Sequence, residues 1–204
     1  MNKPEIRAKY RTLRAMTASD GLDIKILDNV FSIVAQYSQT TIGMYYPVIG
    51  EPQILKALFN VYGQICLPRI DHDSHSMYFL SSKSPDLCSY GQFSSNKYGI
   101  LEPVGVPEDA TVPNILIIPG AAFCAMSGHR VGMGGGYYDR YIGQHKAEIQ
   151  IKIGICYNIQ ILSSPQDLKI FDAFDQPVEI LVTESLCKYM NHNIGNKCKN
   201  QNIK

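Results

Sequence analysis

The densest concentration of potential chemistry in the chain is the run Gly128, His129, Arg130, Val131, Gly132, Met133, Gly134, Gly135, Gly136, Tyr137, Tyr138, Asp139, Arg140. Glycines lack a Cβ, so successive backbone N–H groups in such a run can turn inward and approach an anion closely. A helix starting just after them adds its positive N-terminal end. Arg130 offers a planar, permanently charged fork for phosphate oxygens, and Asp139 offers an oxygen ligand for Mg²⁺. Two common glycine motifs are excluded. A dinucleotide fingerprint beginning at Gly132 requires glycine or alanine where Tyr137 stands, and a Walker loop requires Lys-Ser or Lys-Thr after its last glycine. By itself the run also fits a purely structural turn, with Tyr137 and Tyr138 as core aromatics closing it onto a sheet.

The loop follows a compact isoleucine-rich run, Asn114 to Ile118, ended by Pro119-Gly120. Tyr137 to Ile142 is expected to open a helix, and Ile149 to Cys156 and Val178 to Val182 read as further strands. Strand, glycine loop, helix, strand is the unit of a three-layer α/β domain. Upstream, Lys3 to Met16 reads as a basic helix. Ser19 or Asp20 caps a second helix carrying Leu22, Ile26, Val30 and Val34 at helical spacing. Thr41 to Tyr46 is expected to be a strand ended by Pro47, followed by a helix over Glu51 to Tyr62 and strands at Ile65 to Leu67 and Met77 to Leu80. Ser81 to Asn96 reads as loop. The expected fold is thus a single three-layer α/β/α domain, Rossmann-like with a mostly parallel central sheet, over residues 1–188. A frayed tail is expected over 189–204.

At 204 residues with 45% hydrophobic content, the chain can bury one sizeable core. A formal net charge of +1 gives no field to hold a polyanion, so nucleic acid is not an expected partner. Residues 1–16 carry five cationic side chains without the apolar stretch of a secretion signal, and no window reaches the ~20 apolar residues needed to span a bilayer. A cytoplasmic protein without membrane association is expected. The six cysteines form no Cys-x-x-Cys pair and read as reduced, mostly buried side chains.

The glycine run, with Pro119-Gly120 and Phe123 before it, resembles the signature of the 5-formyltetrahydrofolate cyclo-ligase family, also called 5,10-methenyltetrahydrofolate synthetases. Further agreement extends over nearly the whole chain. It runs through Lys3-x-x-x-Arg7, Tyr46, Pro47, Glu51, Leu67-Pro68-Arg69, Met77-x-Phe79 and Gly99-Ile100-x-Glu102-Pro103. It continues through Gly154-x-x-Tyr157-x-x-Gln160, Asp175-Gln176-Pro177 and Thr183-Glu184. Departures are Cys124 where aspartate is usual after Phe123, one extra residue before Gly128, Phe174 in place of a frequent histidine, and Glu179 in place of a frequent aspartate.

The resemblance implies an ATP- and Mg²⁺-dependent cyclisation of 5-formyltetrahydrofolate to 5,10-methenyltetrahydrofolate, with release of ADP and phosphate. It implies small-molecule substrates and a monomer or weak homo-oligomer. It assigns ATP binding to Lys3, Arg7 and each residue from Arg130 to Tyr138, namely Arg130, Val131, Gly132, Met133, Gly134, Gly135, Gly136, Tyr137 and Tyr138. Folate contacts fall to Tyr46, Glu51 and Met133 through Tyr137, catalysis to Arg130 and Tyr137, and Mg²⁺ to Asp139 and Asp175.

Each of these residues also has a plainer reading. Lys3 and Arg7 suit a solvated helix face, Glu51 an N-terminal helix charge, Asp175 a loop, and His129 an exposed surface. Asp71, His72, Asp73 and His75 form the most metal-like local cluster, but they precede a strand and receive no role from the resemblance. Two other functions remain open on the same fold: a non-catalytic folate or nucleotide binding protein, and a phosphosugar isomerase or related enzyme whose glycine loop holds a sugar phosphate.

Overall fold

A computed structural model of the chain describes residues 1–38, 40–82 and 93–190. Helix α1 (Lys3–Thr17) is closed at its start by a reciprocal cap. The Asn2 side chain accepts from the Glu5 N–H at 2.9 Å, and the Glu5 carboxylate accepts from the Asn2 N–H at 3.0 Å. Helix α2 (Asp20–Val34) buries Ile26, Val30, Ile33 and Val34 along one stripe. Strand β1 (Ile42–Met44) leads to α3 (Leu55–Tyr62), then to the hairpin β2 (Ile65–Asp71) and β3 (Ser76–Ser82). A short pair, β4 (Phe93–Ser95) and β5 (Leu101–Pro103), precedes β6 (Ile115–Ile118). Strands β7 (Ala122–Cys124) and β8 (Arg130–Val131) lead to helix α4 (Tyr137–Gln144) and β9 (Ile151–Ile155). The order closes with β10 (Ile161–Leu162), β11 (Ile180–Val182) and β12 (Cys187–Tyr189).

The main sheet has seven strands in the order β12-β11-β9-β6-β1-β2-β3. Its five central strands run parallel, and an antiparallel strand closes each edge. Alternation along the strands sorts two cores. Ile115, Ile117, Ile153 and Val182 join the α2 and α3 side, while Leu116, Ile118 and Leu181 join the α4 side with Phe79, Tyr141 and Ile142. The three-layer, mostly parallel domain expected from the sequence is the architecture observed. A third, smaller core is made by α1, which lays Ile6 and Tyr10 on the sheet β10-β7-β8 through Ala122, Cys124, Val131 and Leu162.

Several boundaries differ from the sequence expectation. The helix expected from Glu51 begins only at Leu55, because residues 48–51 form a turn and Pro52 follows. The expected short strand Ile65 to Leu67 extends to Asp71, since every residue of β2 pairs across the hairpin with β3. The loop expected over Ser81 to Asn96 instead has Ser81 and Ser82 in β3 and Phe93–Ser95 in β4, and its centre lies outside the described residues. The small sheet of β7, β8 and β10 is not expected at all, as its strands are only two or three residues long. Order also continues past Lys188. Tyr189 pairs with Ile180, and buried Met190 donates its N–H to the Glu179 carbonyl at 2.8 Å. Residues 191–204 of the expected tail lie outside the described residues. Cys66, Cys124 and Cys156 are buried free thiols.

Candidate active site

The strand order reverses between β1 and β6. β1 continues to β2 on one side, and β6 continues to β9 on the other. In an open parallel sheet the crevice beyond the carboxyl ends of two such strands is where a ligand fits, because the connections depart in opposite directions there. A cavity of about 1550 Å³ occupies this position. It is lined by Tyr45, Tyr46 and Pro47 just after β1, by Pro119 and Gly120 just after β6, and by α1 and the glycine loop. Of the residues singled out in the sequence, Lys3, Arg7, Tyr46, Glu51, Arg130, Gly132 through Asp139 and Asp175 all line it. Of the residues to which the resemblance assigns a role, Val131 alone does not. Its side chain is fully buried against Ile6, Tyr10 and Leu162, so it anchors the loop from behind.

The loop is held by specific contacts. Gly134 and Gly136 adopt φ of 103° and 65°, a region that side-chain-bearing residues avoid. Gly136 is the N-cap of α4, and the first residues of that helix, Tyr137 to Asp139, line the same cavity as the loop. Arg7 donates through Nε to the Gly132 carbonyl at 2.7 Å. Arg140 donates through Nη2 to the Gly135 carbonyl at 2.9 Å and to the His75 carbonyl at 2.8 Å, tying the loop to the β2–β3 turn, and its guanidinium lies 5.1 Å from the centre of the Tyr137 ring.

The charged groups are paired across the site. Lys3 Nζ lies 2.6 and 2.8 Å from the two Asp175 carboxylate oxygens. Arg130 is 4% exposed; it donates to Asp139 Oδ1 at 3.1 Å and packs on the Tyr138 ring. The same Asp139 oxygen accepts from the Gln176 N–H at 3.0 Å, which ties the segment carrying Asp175 to Asp139 although the two are far apart in the chain. Arg130 Nε and the Tyr138 hydroxyl are buried without a hydrogen-bond partner. Both belong to residues that line the cavity, and burial pushes the Tyr138 phenol well above its ordinary range, so the hydroxyl stays a donor.

Arg14 is the residue that sequence reading passed over. Only 3% exposed, it donates through Nη1 to Glu51 Oε1 at 2.9 Å and to the Gly120 carbonyl at 3.3 Å. Its spacing from Lys3 and Arg7 along one helix was the available signal, since intervals of four and seven residues share a helix face. Glu51 itself stands in a turn, not in a helical first turn. The Val48 N–H donates to Glu51 Oε2 at 3.2 Å, and burial pushes the carboxyl above its ordinary range against the pull of Arg14.

Two expectations outside the cavity resolve simply. His129, expected on the surface, is half-buried and stacks on Phe171 with ring centres 5.0 Å apart. In the Asp71 cluster the carboxylate is committed to its own turn, accepting from the Asp73 and Ser74 N–H groups and from the Ser74 hydroxyl. No group of three or more His, Cys, Asp or Glu among the described residues is arranged to hold a metal. Asp139 and Asp175 supply only two carboxylates, each already paired with a cation, which is as many as Mg²⁺ takes from a protein. That ion binds through one or two carboxylates and takes its remaining oxygens from phosphate and water.

A doubly wound sheet whose switch-point cavity combines a glycine loop, a helix N-terminus, buried arginines and ion-paired aspartates places the chain among α/β proteins whose ligand crevice lies where the strand order reverses. The model of the 5-formyltetrahydrofolate cyclo-ligase family matches residues 1–184, and the chain belongs to that family. It is 28% identical over 154 residues to the 5-formyltetrahydrofolate cyclo-ligase of Saccharomyces cerevisiae, covering 66% of this chain and 72% of the yeast protein. The Haemophilus influenzae cyclo-ligase is 26% identical over 184 residues, covering 83% and 95% of the two chains. The solution structure of Aquifex aeolicus 5,10-methenyltetrahydrofolate synthetase superposes with a TM-score of 0.71 at 26% identity over 98% of this chain and 97% of the other.

Proposed function

We propose that the protein catalyses the ATP- and Mg²⁺-dependent cyclisation of 5-formyltetrahydrofolate to 5,10-methenyltetrahydrofolate. The observation that carries this reading is the single cavity in which Lys3, Arg7, Arg130 and the glycine loop lie on the same wall system as Tyr46 and Glu51. One space can then hold a triphosphate and a folate together. A formamide is a poor electrophile because its nitrogen lone pair is delocalised into the carbonyl. Transfer of the γ-phosphoryl group to the formyl oxygen releases ADP and turns that oxygen into a leaving group. N10 then bonds to the formyl carbon, the C–O bond breaks to release phosphate, and the N10 proton passes to solvent.

The chain's contribution is positioning and charge stabilisation. Lys3 and Arg7 hold phosphates from α1, and the loop from Arg130 to Tyr138 wraps the triphosphate. Arg130 faces the transferred group, and Tyr137 closes over it with Met133 and the glycines between the two substrates. Tyr46 and Glu51 hold the folate. Asp139 and Asp175 would hold Mg²⁺, which would supply charge neutralisation for the nucleotide. The Lys3–Asp175 and Arg130–Asp139 pairs support this assignment, because each joins a proposed phosphate contact to a proposed metal ligand. A cytoplasmic location and a monomeric or weakly associating state accompany the proposal. No helix among the described residues is long and apolar enough to cross a membrane.

The test is conversion by the purified protein, followed by the near-ultraviolet absorbance of the methenyl product. Product should form only when ATP and Mg²⁺ are both present. Ligand binding without ADP release would select a binding protein instead, and absence of any ATP affinity would point to a sugar-phosphate enzyme.

A further inference from the structure

Arg14 and Glu51 form a buried ion pair at the point where the strand order reverses, and both line the cavity. Burying two charges is expensive, and an apolar pair of the same size is often at least as stable there. Stability alone therefore does not account for the pair. Its geometry is specific: one Nη1 group of Arg14 joins Glu51 to the Gly120 carbonyl, bridging the turn after β1 and the end of β6. The turn is pressed against the same helix. Gly50 has φ of 82°, and a Cβ there would lie 2.9 Å from the Ala15 backbone nitrogen and Cα. Ala15 follows Arg14 directly, so close approach at Gly50 sets the distance over which the ion pair forms.

We propose that Arg14 is a positioning residue for folate recognition: it fixes Glu51 at the cavity wall as an acceptor for an edge of ring N–H donors. Each Glu51 oxygen accepts one bond from the protein, Oε1 from Arg14 and Oε2 from the Val48 N–H, which leaves each a further lone pair for a ligand. Lys3 and Arg7 stand on the same helix about 16 and 10 Å further along its axis. Helix α1 thus acts as a rigid ruler, with phosphate contacts at one end and the folate anchor at the other. The inference rests on the proposed cyclo-ligase reading.

The experiment compares wild type with Arg14→Met and Arg14→Lys, measuring KM for each substrate and equilibrium binding of 5-formyltetrahydrofolate without ATP. Loss of a charge-assisted anchor should weaken folate affinity and raise its KM about ten- to hundredfold in Arg14→Met, with KM for ATP unchanged and partial recovery in Arg14→Lys. Glu51→Gln should lower folate affinity similarly, and adding Arg14→Met to it should cost little more. A second readout is pH. Without Arg14 the upward push of burial on the Glu51 carboxyl is no longer opposed, so folate affinity should rise with pH more steeply in Arg14→Met than in wild type. Tyr45 and Tyr138, the other ionisable groups facing Glu51, are held neutral by burial and do not supply that trend.

Equal increases in both KM values, or additive effects of Arg14→Met and Glu51→Gln, would overturn the proposal. If Arg14→Met fails to fold, Gly50→Ala applies the same test by pushing the turn away from α1. Wild-type protein that binds folate but forms no product would reject the cyclo-ligase reading, while the binding measurements would still decide the role of Arg14.

Discussion

Asp139 serves two partners, the Arg130 guanidinium and the Gln176 N–H, and this shared role shapes what its removal should do. Asp139→Asn should lower turnover and weaken the dependence of activity on Mg²⁺. It also releases Arg130 from its ion pair, so metal-free ATP should bind the variant at least as tightly as wild type while the advantage of Mg²⁺-ATP shrinks. Calorimetric titration with and without the metal checks both halves. Arg130→Ala should reduce kcat by about 10²- to 10³-fold if the guanidinium meets charge developing on the transferred group. Steady-state kinetics with a thermal melt separates that loss from instability.

At the scale of the elements, the glycine loop depends on a contact that no local pattern announces. Arg140 lies on the exposed side of α4, yet it ties Gly135 to the β2–β3 turn. Arg140→Ala should raise KM for ATP with a smaller change in melting temperature, because the loop then samples more conformations before the nucleotide orders it. Gly136→Ala should cost about 1–2 kcal/mol of stability, since its φ of 65° is left-handed and an added Cβ would meet Arg140 Nη1 at 2.7 Å. Chemical denaturation measures that cost. The loop was legible in the sequence because glycine, arginine and aspartate stand next to one another there. Its supports were not, because His75 and Arg140 are 65 residues apart.

Over the whole molecule, order extends beyond the end of the cyclo-ligase family match to Met190, which packs its side chain into the α4-side core. Met190→Ala should therefore cost about 2–4 kcal/mol, as expected for truncating a buried methionine, and equilibrium unfolding would show it. Helical spacing of apolar residues marked α2, a run of basic residues marked α1, and short apolar runs marked the parallel strands. Strands as short as β7, β8 and β10 carry too few residues to show a period. The sheet they form exists because α1 covers it, which is a long-range contact.

By itself the sequence marked the layer architecture and the glycine loop, with Arg130 suited to phosphate and Asp139 to a cation, because these follow from local spacing and chemistry; the folate contacts, Lys3, Arg7 and Asp175 came from the family resemblance alone. The tertiary structure decided which of those residues share one cavity, turned Val131 away from it, and paired Arg14 with Glu51 and Lys3 with Asp175. Such pairings arise where strand order reverses and a distant helix is laid across the strand ends. No local pattern records which remote charge will be desolvated beside which other.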